Sequence, residues 1–312
     1  MNKSIKVYTP GTVANLVCGF DVLGLCLHEP VDEMLVTITN DRRIVITNTD
    51  DYLLPADPAL NTAGAPLLEI MQQLGDNTGF EISINKKIKP GSGIGSSAAS
   101  AAGAVFAANQ LLGNIFTKEQ MVSFAMAGEK VASGVKHADN VAPCIYGGVT
   151  LIRSIFPLDI VAIAAPQLFI TVVHPQIEVR TSDARQILKK QVLLKDAIRQ
   201  WGNIAGLVAG LLKSDYDLIG RSLEDVIIEP VRSILIPGFD EIKRRSLEAG
   251  ALGGGIAGSG PSVFMMSRNM ETARAVEQEM HAVYNAMGLQ HEVYVTRINN
   301  EGVRGDLLAI SC

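Results

Sequence analysis

Pro90-Gly91-Ser92-Gly93-Ile94-Gly95-Ser96-Ser97-Ala98-Ala99 stands between a strand-like run over 80–85 and an alanine-rich helical pattern over 97–112. Three glycines on alternate positions let backbone N–H groups come close to an anion, because no Cβ intervenes. The helix that follows brings its unpaired first-turn N–H groups and the positive end of its dipole to the same place. A polyphosphate is the natural occupant. Two familiar phosphate motifs do not fit: no lysine follows Gly95 as a Walker loop requires, and the spacing is GxGxG rather than GxGxxG. The residues alone also allow a plainer reading, a helix N-terminus with flexible glycine and serine caps.

A second glycine run, Gly253-Gly254-Gly255-Ile256-Ala257-Gly258, does match GxGxxG, but a helical pattern precedes it and a strand-like run follows. A dinucleotide site needs strand, turn and helix in that order. The run reads as a loop packed closely against a second backbone or a ligand, or as a tight turn with no ligand.

Further out, β-branched runs predict strands over 5–8, 34–39, 44–48 and 80–85, then over 169–174, 262–266 and 292–297. Helical periodicity covers 61–73, 97–112 and 118–132, and later 183–188, 194–212, 239–249 and 271–287. Thr117-Lys118-Glu119-Gln120 has the spacing of a capping box at the start of the third helix. The mixed order of elements defines an α+β class. A boundary is expected between 153 and 168, dividing the chain into 1–160 and 161–312.

Hydrophobic residues make up 47% of the 312 residues and charged residues 19%, enough apolar material for a sizeable core and no case for disorder. The net charge of −5, with Lys and Arg scattered, argues against nucleic acid or an anionic membrane as main partner, since both need a concentrated basic footprint. A small anion needs only a few positive groups and stays open. Cys18, Cys26, Cys144 and Cys312 lack the spacing of a zinc site or disulfide frame, so free thiols in a reducing compartment are expected. Residues 1–6 show no signal-peptide pattern, and the longest apolar stretch, near 160–173, is broken by Pro166 and Gln167. A cytoplasmic protein is the expectation.

Three motifs in order then identify a resemblance. Pro10-Gly11-Thr12-Val13-Ala14-Asn15, Gly91-Ser92-Gly93-Ile94-Gly95-Ser96-Ser97-Ala98 and Gly255-Ile256-Ala257-Gly258-Ser259-Gly260-Pro261-Ser262 resemble those of the kinase superfamily named for galactokinase, homoserine kinase, mevalonate kinase and phosphomevalonate kinase. The continuation Asn15-Leu16-Val17-Cys18-Gly19-Phe20-Asp21, the segment His137-Ala138-Asp139-Asn140, and Glu229-Pro230-Val231-Arg232 look like its homoserine branch. Val17 and Lys89 depart from the family's usual glycine and proline, which puts the local loop shapes in question.

The resemblance implies an N-terminal domain like ribosomal protein S5 domain 2, with a left-handed β-α-β crossover, and a ferredoxin-like C-terminal domain, with ATP between them. It implies L-homoserine as the small-molecule substrate, ATP and Mg2+ as cofactors, and threonine biosynthesis as the setting; a homodimer is left open. The triphosphate would lie on Pro90, Gly91, Ser92, Gly93, Ile94, Gly95, Ser96, Ser97 and Ala98, with Asn61 also at the nucleotide. Ser97 and Glu129 would hold magnesium, which takes oxygen ligands and commonly only one or two from protein. By helical position alone, Glu129 borders an apolar stripe and suits a solvated flank as well as a cleft.

For the acceptor, the resemblance implies Asn15, Asp21, His137, Asn140, Thr181, Arg185 and Arg232. Asp21 suits an ammonium, and a guanidinium matches a carboxylate bidentately. Arg185 sits early in its helix, against the dipole, which suits a ligand role as well as a surface one; Arg180 is a neighbour with no assigned role. Asn140 and Asp139 join Ser97 and Glu129 in the implied catalytic set, Asp139 matching the acid proposed as base in the mevalonate branch. Competing readings are a kinase of the same fold acting on mevalonate or shikimate, and a catalytically silent ligand sensor.

Overall fold

A computed structural model describes residues 3–179 and 181–308, apart from the side chains of Thr181 and Ser182. Arg180, Cys312 and the Thr181 side chain therefore lie outside the described residues. The first half runs β1 (Ser4–Ala14), β2 (Leu23–Thr39), β3 (Ile44–Asn48), α1 (Gly64–Leu74), β4 (Gly79–Asn85), α2 (Ser96–Leu111), α3 (Lys118–Ser133), α4 (Val141–Tyr146), β5 (Val149–Ile155) and β6 (Leu158–Ile163). The second half runs β7 (Phe169–Pro175), α5 (Thr181–Gln186), α6 (Leu194–Lys213), α7 (Tyr216–Ser222), α8 (Glu229–Arg232), α9 (Phe239–Glu248), β8 (Gly253–Ile256), β9 (Val263–Ser267), α10 (Met270–Ala286), β10 (His291–Arg297) and β11 (Arg304–Leu308).

The expected α+β class holds. The first sheet has the order β11-β1-β2-β4-β3, with the β5–β6 hairpin joined to β2. β3 and β4 are parallel and connected by α1, which is the β-α-β unit of this half. The second sheet is antiparallel with the order β10-β7-β9-β8. Its helical crossovers before β8 and after β9 give the β-α-β-β-α-β plan of a ferredoxin-like domain. The expected division after residue 160 falls inside β6, because that strand pairs with β5 in the first sheet. β11 also returns to that sheet, beside β1.

Two elements are much longer than the sequence suggests. Predicted strands at 5–8 and 34–39 are the outer parts of β1 and β2, which continue inward to Ala14 and from Leu23. Pro10-Gly11 looks like a break, yet the ladder absorbs it as a register shift between Pro10 and Thr12. The glycine run at 253–258 is corrected too: Gly253–Ile256 is a strand paired with β9, and the loop proper begins at Ala257.

α2 is buried nearly all round, and this explains its alanines. It packs between the first sheet and α3, where Gly103 lies against Thr9 and Gly128 of α3 lies against Ala101. A β-carbon at either glycine would fall within about 2.6 Å of its neighbour. One apolar core fills the space between the first sheet and α1–α4, and another lies between the second sheet and α9–α10. A third core joins the halves: Val13, Leu16, Leu23 and Ile94 meet Ile170, Val172, Phe264, Leu207 and Ile219. The mouth of that junction carries the polar site.

Candidate active site

The glycine loop enters α2 with Gly91, Gly93 and Gly95 all in the left-handed region, at φ 76°, 86° and 70°. Alternation of this kind turns successive N–H groups toward one side, a concavity suited to anions. No side chain caps α2, so its first-turn amides keep their unpaired donors facing the same place. Two glycines are required by protein neighbours as well. A Cβ at Gly93 would sit 2.5 Å from the Gly260 carbonyl, and one at Gly95 would sit 2.0 Å from the Thr12 hydroxyl. The expectation that the second glycine run meets another backbone is thereby specified: that backbone is the first glycine loop. Ser262 strengthens the contact, its hydroxyl donating to the Ser92 carbonyl at 2.6 Å. Buried His174 stands behind, with Nδ1 3.2 Å from the same hydroxyl.

Beneath the loop lies a buried ion pair that sequence reasoning missed. Lys86 pairs with Asp32, their side chains 2% and 3% exposed. Lys86 also donates to the Ser96 carbonyl and the Ser100 hydroxyl, both at 2.9 Å. Asp32 accepts the backbone N–H groups of Lys87 and Ile88 at 2.7 and 2.8 Å. The pair so ties β2, the end of β4 and the start of α2 together. Nothing in the local pattern of Lys86-Lys87-Ile88-Lys89 separates this lysine from its neighbours.

The cleft holds about 300 Å³ and is lined by the loop, by α2 and α3, and by residues of both halves. Ser97 donates to Glu129 Oε1 at 2.7 Å. Glu129 is only 2% exposed, so the solvated-flank alternative is excluded. Its other oxygen lies 3.4 Å from His137 Nε2, and His137 Nδ1 lies 2.8 Å from Asp139. Burial disfavours the imidazolium, but the hydrogen bond and charge of Asp139, with Glu129 and Asp21 beyond, outweigh it and push His137 up to about 9. Burial likewise raises the Glu129 carboxyl, against the opposing pull of His137 and Ser97. The two acids on either side thus favour the imidazolium form of His137, whose side chain is 14% exposed.

Asn140 Oδ1 accepts from the Thr12 hydroxyl at 2.8 Å, which turns the amide NH2 to the cleft side. Asn15 donates to the Gly258 carbonyl at 2.8 Å and accepts the Asp21 N–H at 3.0 Å. Arg185 grips Asp21 with two bonds of 2.8 and 3.1 Å. Arg232 donates to the carbonyls of Ala184 and Gly258 at 3.0 and 3.2 Å. Both guanidinium carbons stand over the Phe20 ring, 5.7 and 4.9 Å from its centroid. Phe20 is a second site residue that the sequence reading quoted without a role.

Asn15, Leu16 and Val17 are all left-handed, with φ 74°, 41° and 65°. For a β-branched residue this is strained, and it is the position where the resembled family carries glycine.

The sequence candidates therefore converge, with exceptions. Asn61 is turned away: it donates to the Pro55 carbonyl and accepts the N–H of Ala63, and Thr62 lines the cleft instead. Ser92, Ile94 and Ala98 do not line it either; Ser92 faces Ser262, and the other two are buried in the apolar cores. Among the described residues, no group of three or more His, Cys, Asp or Glu side chains could hold a metal by itself. The Ser97–Glu129 oxygen pair beside the loop does fit magnesium, which commonly takes one or two protein oxygens and fills its shell with phosphate and water.

A glycine-lined concavity at a helix start, the Ser97–Glu129 oxygen pair and side chains of both charges in one cleft suit a small-molecule kinase. The chain matches the GHMP kinases N terminal domain over residues 61–148 and the GHMP kinases C terminal domain over 207–286. The homoserine kinase of Chloroherpeton thalassium is 45% identical, covering 97% of this chain and 99% of that protein. The homoserine kinase of Methanocella arvoryzae is 39% identical over 96% and 97%. The crystal structure of homoserine kinase from Cytophaga hutchinsonii superposes with a TM-score of 0.92 at 49% identity, covering 97% of each chain. Mevalonate kinase of L. major, crystallised with R-mevalonate, shares the fold, with a TM-score of 0.69 at 17% identity over 94% of this chain and 95% of that one. The chain belongs to the GHMP kinases and, within them, to the homoserine kinases.

Proposed function

We propose that this enzyme transfers the γ-phosphoryl group of ATP to the side-chain hydroxyl of L-homoserine, giving O-phospho-L-homoserine and ADP for threonine biosynthesis. The observation that carries the reading is the pairing of an anion cradle with Asp21, Arg185 and Arg232 in one cleft. An amino alcohol with a free carboxylate needs one negative and one positive subsite, and mevalonate or shikimate brings no ammonium to Asp21. Buried thiols at Cys18, Cys26 and Cys144 suit a reducing compartment, and we assign the enzyme to the cytoplasm.

The backbone donors of residues 91–97 and the start of α2 receive the triphosphate. Ser97 and Glu129 would hold Mg2+, which would neutralise phosphate charge. Phosphoryl transfer is driven by positioning and charge stabilisation, with a loose transition state. The acceptor oxygen forms its bond to phosphorus as the bond to the ADP oxygen breaks, and the hydroxyl proton passes to a phosphate oxygen or to solvent. Asn140 offers its amide donors to the transferring group. Asp139 is engaged by the His137 imidazolium, so we assign it to fixing His137 rather than to removing the proton. Asn15 orients Asp21 for the ammonium, Arg185 and Arg232 receive the carboxylate, and Thr181, one helical turn before Arg185 in sequence, completes the acceptor set.

Arg232→Ala tests the acceptor assignment. KM for L-homoserine is expected to rise by roughly tenfold to a few hundredfold, the loss of a charge-assisted hydrogen-bonded pair. KM for ATP should be nearly unchanged. Homoserinol, which lacks the carboxylate, should lose far less between wild type and variant. Equal losses for both acceptors would make Arg232 a support for Gly258 and Ala184 and not a substrate ligand.

A further inference from the structure

We infer that the Asp21–Arg185 ion pair occupies the acceptor site in place of the substrate's two charges, and that binding is an exchange: the ammonium takes over Asp21 while the carboxylate takes over Arg185. The inference rests on the functional reading above and deepens it into a rule for which acceptors are admitted.

The geometry is a closed fork. Nη2 of Arg185 lies 2.8 Å from Asp21 Oδ1 and Nη1 lies 3.1 Å from Oδ2, so both carboxylate oxygens and both terminal nitrogens take part in the pair. The partners come from opposite sides of the cleft, one from the loop between β1 and β2 and the other from α5, 164 residues away in the chain. Their side chains are 30% and 35% exposed, and both line the cleft. The backbone of Asp21 is held at φ 60° by the bond from its N–H to Asn15, a constraint that does not involve Arg185. Arg185 also keeps a buried Nε without a hydrogen-bond partner.

Charge accounting then decides what can enter. A ligand that draws Arg185 away with its carboxylate, and brings no ammonium, leaves Asp21 facing the like charge of Asp139. A ligand with only an ammonium leaves Arg185 beside Arg232, whose charge already opposes its own. Stranding one member of a partly buried pair costs more than the pair is worth. A zwitterion exchanges one internal pair for two intermolecular ones and strands nothing. The internal pair therefore selects against singly charged alcohols, a repulsive element of specificity.

The test is calorimetric binding of three probes at neutral pH to wild type, Asp21→Asn and Arg185→Gln. The probes are L-homoserine, 4-hydroxybutyrate with only the carboxylate, and homoserinol with only the ammonium. L-Homoserine is expected to weaken by about 10–100-fold in both variants. 4-Hydroxybutyrate should bind Asp21→Asn about tenfold more tightly than wild type, because Arg185 has been released. Homoserinol should bind Arg185→Gln more tightly by a similar factor. Asparagine accepts the left-handed backbone at 21, and a gain in affinity cannot arise from a damaged fold. Parallel weakening of all three probes, or no change for the singly charged two, overturns the exchange. A wild-type protein that binds ATP but not L-homoserine would remove the functional reading itself, which is a separate outcome.

Discussion

Glu129→Gln is expected to lower kcat by about 10²–10³-fold, the scale of losing one electrostatic contributor in a water-poor site. The magnesium concentration giving half-maximal rate should rise at the same time. A carboxylate is a hard anionic oxygen donor, and a neutral amide of the same shape is a poor magnesium ligand. Glu129 is buried, it accepts from Ser97 at 2.7 Å, and it adjoins the start of α2 where the triphosphate is assigned. The competing role is structural, since Glu129 also lies 3.4 Å from the His137 imidazole. The two roles separate in the metal titration. A structural partner of His137 would lower thermal stability and leave magnesium dependence unchanged in the folded variant. A magnesium ligand shifts that dependence even where the unfolding midpoint is preserved.

Lys86→Met is expected to destabilise the protein by about 3–5 kcal/mol, because it leaves the Asp32 charge buried without its partner. Burial decides the magnitude. Exposed ion pairs such as Arg153–Asp159 contribute about 1 kcal/mol or less, whereas both members of the Lys86 pair are within 3% of full burial. The double variant Lys86→Met with Asp32→Asn should recover much of the loss. It removes both charges and keeps an oxygen for the N–H groups of Lys87 and Ile88, which Asp32 now serves. Denaturant unfolding of the three proteins measures this directly. A loss below about 1 kcal/mol for Lys86→Met would mean that water reaches the pair, and that it does not brace the glycine loop as described.

How far the sequence disclosed this molecule depends on the range of the interaction concerned. Local signals were legible: the capping box at Thr117 and Gln120 is formed as predicted, and β3 spans the residues its β-branched run indicates. The shape of the glycine loop was legible because its cause, alternating left-handed glycines before a helix, lies within ten residues. What stayed hidden is set by partners far along the chain. Lys86 meets Asp32 54 residues away, and Asn15 meets Gly258 243 residues away. Glu129 read as a possible solvated flank because helical period reports which face is apolar, not which face meets a cleft. Asn61 misled in the opposite sense: its amide serves a local turn that a lone asparagine does not advertise. β6 and β11 escaped notice because short strands near an edge carry little hydrophobic alternation, and Arg304–Leu308 has none of the usual β-branched residues.

The most direct test of the central claim is a coupled assay of ADP release with ATP, magnesium and a panel of acceptors: L-homoserine, mevalonate, shikimate and homoserinol. A site that pairs both charged ends of its acceptor rejects analogues lacking one, because buried groups are then left unpaired. The account predicts kcat/KM for L-homoserine roughly 10³-fold or more above every other acceptor, with O-phospho-L-homoserine as product. Turnover of mevalonate or shikimate far above that of L-homoserine would contradict it.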